Sequence, residues 1–196
     1  MFDPSSKAKK AQKSLNVMLY PGPVLLPDIS GVLLRFRKPP IMIVADVEKA
    51  FHMIGLEISE RDVTRFLWVF DPQRPPEGHN LRVPFGVVSA PFILAATKRH
   101  HLETRNSPLA LELKDNSYAD NTLMGAQTYY EALEKASKAK EEFRLANMNL
   151  REYFSNDAEI YKRFADDPSQ NSTKFLGLKW ALELDTLELD SCLAKY

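Results

Sequence analysis

The apolar run IMIVA, residues 41–45, constrains the fold of this chain more than any other segment. Two prolines precede the run, Asp46 follows it, and no polar residue interrupts it. A continuous apolar run of this length is typical of a strand that is buried on both faces. The sequence therefore predicts a central strand that carries a carboxylate at its end.

A second carboxylate lies between Ser117 and Met124, where the polar pair Asp120-Asn121 interrupts residues that favour strands. This pattern predicts a β-hairpin whose tip carries Asp120 and Asn121. An aspartate after a strand is more often a cap or turn residue than a ligand. If the hairpin meets the central strand, however, Asp46 and Asp120 form a carboxylate pair of the kind that binds Mg²⁺ against a phosphate.

Periodicity elsewhere predicts a mixed fold. Apolar residues recur at helical spacing in residues 25–36, which Asp28 can cap, and in residues 129–146. Further helices are predicted over residues 47–54 and 89–102, strands over 64–70 and 149–155, a loop over 71–80 and a hairpin over 174–189. This last hairpin is predicted to bend at Asp185-Thr186 and to place on one face Leu176, Leu178, Trp180, Leu182 and Leu184. Hairpins without a repeated β-α-β order predict an α+β fold in which helices cover one face of an antiparallel sheet.

The charge, the cysteine content and the apolar segments of the chain limit the classes of function and the locations that are open to it. The chain has 26 basic and 26 acidic side chains, so no global field draws it to nucleic acid and any such binding is local. The lone Cys192 excludes an intrachain disulfide. The sequence has neither the apolar core of a signal peptide nor a run of about 20 apolar residues. We therefore expect an intracellular, cytoplasmic protein that is neither secreted nor membrane-bound.

Other catalytic patterns are missing. The segment Asp185-Thr186-Leu187 lacks the glycine of an aspartic-protease loop. His100 and His101 are adjacent and do not form the i, i+4 pair of a zinc-binding helix. Neither a serine-triad motif nor a glycine-rich phosphate loop is present. The carboxylate pair is therefore the strongest candidate site.

Four segments occur in the order of the palm motifs of reverse transcriptases. They are ADVEKAF at residues 45–51, VPFGVVSAPF at 83–92, YADN at 118–121 and KFLGLKW at 174–180. Further segments resemble the polymerase of Pao/BEL-type retrotransposons more closely: FDPSSK at residues 2–7, SLN at 14–16, GP at 22–23, TRFLW at 64–68 and LREYFSN at 150–156. The resemblance covers nearly the whole chain.

The resemblance implies a polymerase palm with a partial fingers segment, in which Mg²⁺ or Mn²⁺ bound by Asp46 and Asp120 supports template-directed nucleotidyl transfer. The implied roles are catalysis by Asp46, Asp120 and Asn121, nucleotide binding by Val47, Phe51, Phe85 and Gly86, and primer or template binding by Tyr118, Gly177, Leu178 and Lys179. The implied partners are an RNA template, a DNA primer and a deoxynucleoside triphosphate, with protease, ribonuclease H and integrase domains in the parent polyprotein. Without the resemblance, Phe51 and the leucines of residues 174–180 are explained equally well as core residues.

The resemblance also implies a domain organisation. Residues 1–40 would form a partial fingers segment, residues 41–173 the palm, and residues 174–196 a primer-grip-like hairpin at the start of a thumb. Only Leu81-Arg82 lie between Asn80 and Val83, where the family has several more strand residues. We therefore expect a fragment of a longer polyprotein, and the resemblance implies virus-like particles or the nucleus as alternative locations.

One departure concerns the candidate site itself. Asn121 stands where most reverse transcriptases carry a second aspartate, and an amide removes one negative charge from a cation site. Two hypotheses follow. The chain is either the palm of a working reverse transcriptase or a catalytically inactive retroelement-derived remnant that at most binds nucleic acid.

Overall fold

The computed structural model describes residues 3–7, 9–68, 73, 77–80 and 82–189. The chain divides into two compact units, a first unit from residues 1–25 and 49–97 and a second unit from residues 26–48 and 98–196. Each unit is therefore built from two separate stretches of the chain. The domain boundaries predicted after residues 40 and 173 follow the resemblance to a family and do not describe compact units. They stay predictions.

Helices and strands alternate irregularly along the chain. The α-helices are α1 (Leu15–Met18), α2 (Ile29–Phe36), α3 (Ala90–Arg105), α4 (Pro108–Asp115), α5 (Tyr129–Leu145) and α6 (Ala158–Phe164). The strands are β1 (Ile41–Val47), β2 (Arg65–Trp68), β3 (Glu77–Asn80), β4 (Ser117–Tyr118), β5 (Asn121–Ala126), β6 (Leu150–Ser155), β7 (Ser172–Phe175), β8 (Leu178–Ala181) and β9 (Thr186–Leu189). None of the helices in the described part of the chain is both long and apolar enough to cross a lipid bilayer.

A four-stranded antiparallel sheet in the second unit positions the candidate carboxylates. Its strand order is β4-β5-β1-β6, so β1 has a hydrogen-bonded neighbour on each side. Residues 42–45 and Val47 of β1 are buried. The predicted central strand is confirmed, because a continuous apolar run needs cover on both faces of the sheet.

Helices cover one face of this sheet. Helix α5 contacts β1, β5 and β6, and α4 contacts both α5 and β5. The stripe of Ala132, Ala136, Ala139 and Phe143 on α5 is buried, as its helical spacing predicts. The predicted α+β fold, with helices on one face of an antiparallel sheet, is therefore confirmed.

The opposite face of the sheet carries an apolar cluster. Met42, Val44 and Leu123 pack there with Phe36 of α2 and with Trp180 of β8. The rings of Phe36 and Trp180 meet edge to face with their centroids 5.3 Å apart, a geometry that aromatic pairs favour. This cluster holds the small sheet β7-β8-β9 against the central sheet.

The hairpin predicted over residues 117–124 forms, but its tip lies one residue earlier than predicted. Tyr118 pairs with Asn121, so Ala119 and Asp120 form the two-residue turn. Ala119 has a left-handed backbone with φ of 49°, which tight hairpin turns require. Asn121 therefore begins β5 instead of lying at the tip.

Residues 174–189 belong to a three-stranded meander rather than to the predicted two-stranded hairpin. Leu176 and Gly177, with φ of 51° and 78°, form the turn between β7 and β8. A turn at this point ends the alternation, so the five large apolar residues do not share one face. Trp180 is fully buried, whereas Leu184 is 77% exposed.

Two helices of the second unit arise from local capping that periodicity does not reveal. Helix α4 begins after Ser107, whose hydroxyl accepts a backbone hydrogen bond at 3.1 Å. Helix α6 begins after Asp157, whose carboxylate accepts hydrogen bonds from two backbone amides. Both helices have at most eight residues, too few for an apolar stripe to be recognised.

In the first unit, β2 and β3 form an antiparallel hairpin. Strand β2 lies within the strand predicted over residues 64–70, but β3 corrects the predicted loop over residues 71–80. Its sequence, EGHN, has no apolar alternation that would predict a strand. The helix predicted over residues 47–54 is only a short 3-10 helix, Ala50–Met53. Val69, Phe70 and Cys192 lie outside the described residues.

Asp185 joins separate parts of the second unit, so its loss should destabilise that unit. Its Oδ1 accepts hydrogen bonds from Trp180 Nε1 at 2.9 Å and from Arg37 at 2.6 Å. We expect Asp185→Ala to lower the free energy of unfolding by about 2 kcal/mol, because the fully buried Trp180 loses its acceptor. Urea denaturation measures this change.

Two variants test the cause of that loss. Asp185→Asn keeps an acceptor and suits the left-handed backbone at φ of 50°, so it should cost less than half as much. Asp115→Ala, at a side chain that is 67% exposed, should change the free energy of unfolding by no more than about 0.5 kcal/mol. Equal losses for Asp185→Ala and Asp115→Ala would contradict the prediction.

Candidate functional site

The register of the central sheet brings Asp46 and Asp120 to the same end of the sheet. Asp46 lies opposite Asn121 in the β1–β5 ladder. The Val47 amide donates a hydrogen bond to the Asp120 carbonyl oxygen at 3.0 Å, and the Val47 side chain is buried. The two predicted carboxylates therefore lie on neighbouring backbone that sheet hydrogen bonds hold in place.

Asp46 lies among like charges. Burial, and then repulsion by Asp120 and Glu152, raises the pKa of Asp46 from 3.8 to about 6. Arg151 and Lys98 act in the opposite direction without cancelling this rise. A carboxylate in such surroundings is stabilised in its charged form by any cation that binds beside it. The electrostatics at this end of the sheet therefore favour cation binding.

The side chain of Asn121 is turned towards Asp120. Its Nδ2 donates a hydrogen bond to Asp120 Oδ1 at 3.0 Å. An aspartate at position 121 would instead repel Asp120, so the amide lowers the electrostatic cost of the pair in the absence of a cation. Asn121 offers a cation an uncharged oxygen ligand at most.

A buried lysine, Lys98, lies beneath the hairpin turn and was not among the predicted site residues. It is only 4% exposed, and its Nζ donates a hydrogen bond to the Ala119 carbonyl oxygen at 2.7 Å. Burial lowers the pKa of Lys98 from 10.5 to about 8, and the attraction of Asp120 and Asp46 limits this fall. The sequence does carry one signal, because Lys98 lies four residues from each of the buried Leu94 and Leu102, at a position where α3 would otherwise place an apolar residue.

The oxygen ligands at this end of the sheet fit a divalent cation. Mg²⁺ is usually bound by one or two carboxylates together with substrate phosphates, and Asp46 and Asp120 supply two. The raised pKa of Asp46 reflects its burial and then the repulsion by Asp120 and Glu152, and a bound cation would offset both. Within the described ranges, no group of three or more His, Cys, Asp or Glu side chains could hold a metal ion. The protein would therefore supply only part of a coordination shell.

Two predicted nucleotide-binding residues, Phe51 and Phe85, lie together in the first unit. Their ring centroids are 4.8 Å apart and the rings meet edge to face. Phe85 is 65% exposed, and Phe51 is partly exposed. Exposed aromatic rings can stack on a sugar or a base. The two interpretations of Phe51, as a nucleotide-binding residue and as a core residue, both stay predictions.

Asn16 shapes the turn that contains Gly86, the third predicted nucleotide-binding residue of this unit. Its Oδ1 accepts a hydrogen bond from the Val88 amide at 2.8 Å, and its Nδ2 donates to the Gly86 carbonyl oxygen at 2.9 Å. Gly86 has φ of 84°, which glycine adopts without steric cost. Asn16 was not among the predicted site residues, because its contacts cross about seventy residues of chain.

The predicted primer and template residues lie on two separate elements of the second unit. Tyr118 ends β4, directly before the turn that carries Asp120. Gly177 has φ of 78° in the turn before β8, and Leu178 and Lys179 begin that strand. The Nζ of Lys179 lies 3.4 Å from a carboxylate oxygen of Glu188 on β9.

Solved structures of foamy viral protease-reverse transcriptases share this fold. The dRH form in complex with double-stranded DNA matches with a TM-score of 0.61 and 16% identity, over 91% of this chain and 27% of that chain. A second complex with double-stranded DNA gives 0.57 and 17% identity, over 88% and 31% of the two chains. A complex with an RNA/DNA hybrid gives 0.53 and 17% identity, over 85% and 19%. The chain thus has a reverse-transcriptase-like fold, which confirms the predicted fold class, and it spans less than a third of the length of these proteins.

A family model of a different kind also matches part of the chain. It is described as the Chlamydia-phage Chp2 scaffold, and it matches residues 98–188. That range is less than half of the chain and does not include β1 with Asp46, so the match does not establish membership of that family. No curated protein matches the chain.

Neutralising Asp46 should stabilise the protein at neutral and alkaline pH. Because the pKa of Asp46 is raised in the folded state, its contribution to stability is fully present below 3.8 and is lost as the pH rises through about 6. We expect Asp46→Asn to raise the free energy of unfolding at pH 8 by about 1 kcal/mol, after allowance for solvent screening at this half-buried position. Chemical denaturation in the presence of EDTA measures the difference.

The pH dependence of the free energy of unfolding distinguishes the effect of the Asp46 charge from a general stabilisation of the protein. The advantage of Asp46→Asn over the wild type should grow from pH 4 to pH 7, whereas Asp115→Asn should show little change over the same range. A variant Asp46→Asn that is less stable than the wild type at pH 8 would show that Asp46 is not held among like charges.

Proposed function

We propose that this chain is the palm region of a reverse transcriptase of Pao/BEL type, and that its parent polyprotein performs template-directed nucleotidyl transfer with two divalent metal ions. The observation that carries the proposal is the placement of Asp46 near the end of β1, beside the hairpin turn that carries Asp120, in a reverse-transcriptase-like fold. The order of the four palm-like segments along the chain supports it independently.

Asp46 and Asp120 would hold the metal ions, and the proposed cofactor is Mg²⁺ with Mn²⁺ as a substitute. Such ions, when bound, activate the attacking hydroxyl and neutralise the leaving phosphate. The protein contributes rigidity, because sheet hydrogen bonds fix the backbone of both aspartates. This arrangement lets the carboxylates act without a costly rearrangement during the reaction.

The proposed substrates are a deoxynucleoside triphosphate and a primer paired with an RNA template. The exposed ring of Phe85 and the partly exposed ring of Phe51 would provide a surface for the sugar or the base, and Asn16 holds the neighbouring Gly86 turn. The foamy viral proteins of similar fold were solved in complex with double-stranded DNA and with an RNA/DNA hybrid. Tyr118 and the segment Gly177–Lys179 are the proposed contacts to primer or template.

A second candidate is an inactive remnant that binds nucleic acid without extending a primer. The observation that favours it is the hydrogen bond from Asn121 to Asp120, which replaces a possible third carboxylate with an uncharged group. Both candidates use the same fold. They differ in whether the carboxylate pair binds metal ions tightly enough for catalysis.

Primer extension decides between the two candidates. With the 196-residue chain, an RNA template, a DNA primer and Mg²⁺ or Mn²⁺, we expect extension that Asp46→Ala abolishes. Asn121→Asp should increase the rate by about tenfold or more, because a third carboxylate strengthens cation binding. Asp115→Ala is the matched control, because it removes an exposed aspartate outside the carboxylate pair and should leave the rate unchanged.

Each result has a defined meaning. Extension that persists in Asp46→Ala would arise elsewhere and would contradict the assigned site. The absence of extension in the wild type and in Asn121→Asp would exclude catalysis by this chain and leave the binding candidate.

Binding to a primer–template duplex should depend on salt through Lys179. We expect the Kd of the wild type to rise by at least about tenfold between about 50 and 200 mM salt, because phosphate contacts release counterions. Lys179→Gln should weaken binding and reduce the slope of log Kd against log salt by about one. Fluorescence anisotropy of a labelled duplex measures both quantities.

A matched lysine provides the control. Lys138 is also exposed and also pairs with a glutamate, Glu134, but it lies on α5. Lys138→Gln should leave the slope unchanged. Equal changes for the two variants, or a flat salt response of the wild type, would remove Lys179 from the proposed interface.

A further inference from the structure

We infer that Lys98 is a buried counter-ion of the carboxylate pair. Its positive charge offsets the two carboxylates as a metal cation would, and it therefore weakens the binding of divalent ions by Asp46 and Asp120. This inference deepens the proposed function and rests on it, since it concerns the affinity of the same proposed metal site.

The position of the ammonium group carries the inference. Lys98 is 4% exposed, and its Nζ donates a hydrogen bond to the carbonyl oxygen of Ala119 at 2.7 Å. Ala119 directly precedes Asp120 in the two-residue turn. The charge is therefore fixed at the turn that carries one carboxylate, and the hydrogen bond from the Val47 amide to the Asp120 carbonyl oxygen joins this turn to the strand that carries the other.

The ionic partners of Lys98 are the carboxylates of Asp120 and Asp46. The Nζ also lies 5.7 Å from the ring centroid of Phe143, and an aromatic face stabilises a cation only modestly. The electrostatic partners of the ammonium are Asp120 and then Asp46. Buried charges are retained in proteins when they are paired, so this lysine belongs electrostatically to the carboxylate pair.

The remaining charges nearby do not remove the effect. Arg151 acts on Asp46 more strongly than Lys98 does, but it lies 3.0 Å from Glu152 and 4.0 Å from Glu48, so its single positive charge is shared with two carboxylates outside the pair. Asp46, Asp120 and Lys98 together then carry a single net negative charge, and Asn121 adds none. A metal ion at this site would meet a fixed positive charge that water cannot screen.

The direct test is the affinity for Mn²⁺ without substrate. We expect Lys98→Met to bind Mn²⁺ at least about tenfold more tightly than the wild type at pH 7, as measured by titration calorimetry and by the electron paramagnetic resonance signal of free Mn²⁺. The gain should disappear in Lys98→Met/Asp46→Asn. Lys98→Arg, which keeps the charge, should retain the weak binding of the wild type.

Lys135→Met is the matched control for removal of a lysine from this sheet. Lys135 is also partly buried, and its Nζ donates to the carbonyl oxygen of Gly125 at 2.7 Å, at the other end of β5. It pairs with Glu112 and Glu131 rather than with the carboxylate pair. Its replacement should leave Mn²⁺ affinity within about twofold of the wild type.

A stability cycle keeps the inference testable if Lys98→Met folds poorly. In EDTA, Lys98→Gln should lower the melting temperature more in the wild-type background than in the Asp46→Asn background, because the ammonium offsets the charge of Asp46 only when that charge is present. Additive shifts would overturn the inference.

The outcomes also separate this inference from the proposed function. Equal, Asp46-dependent Mn²⁺ affinity in the wild type and Lys98→Met would overturn the counter-ion role and leave the proposed function in place. The absence of Asp46-dependent Mn²⁺ binding in every variant that folds would overturn both.

Discussion

The antiparallel pairing of β1 with β5 is the interaction on which the rest of the second unit depends. Its register sets Asp46 opposite Asn121 and brings the Val47 amide to the Asp120 carbonyl oxygen. A slip by one residue would turn every side chain of β1 to the other face of the sheet. Such a slip would exchange the side chains that pack against the two covered faces of β1 and would move Asp46 away from the turn that carries Asp120, so packing of the core and placement of the two aspartates impose the same register.

The sequence predicted those parts of the fold that have long, regular patterns. The run at residues 41–45 and the alanine stripe of α5 identified the central strand and the helix that covers it. The resemblance to reverse transcriptases then supplied Asp46 and Asp120 as a pair. Features decided by a single backbone conformation were missed, because an alanine at φ of 49° gives no compositional signal for the turn at Ala119.

Contacts between distant parts of the chain were missed for a different reason. Asn16 and Lys98 act on turns that are remote in sequence, and neither residue belongs to a motif of catalytic side chains. Lys98 could have been noticed as a charge within an apolar helical face, but its partner was visible only after folding. The sequence therefore predicted which acidic groups form the site more fully than it predicted the groups that tune them.

The hydrogen bond from Lys98 to Ala119 also bears on how a metal centre of this kind can change by mutation. A chain that gained an aspartate at position 121 would already contain a buried cation to balance the new charge. A chain that lost Lys98 first would leave the charges of Asp46 and Asp120 without this cation and the Ala119 carbonyl oxygen without its donor. One order of substitution therefore passes through better-balanced intermediates than the other, and under the proposed function the buried lysine would keep the two aspartates balanced when no metal ion is bound.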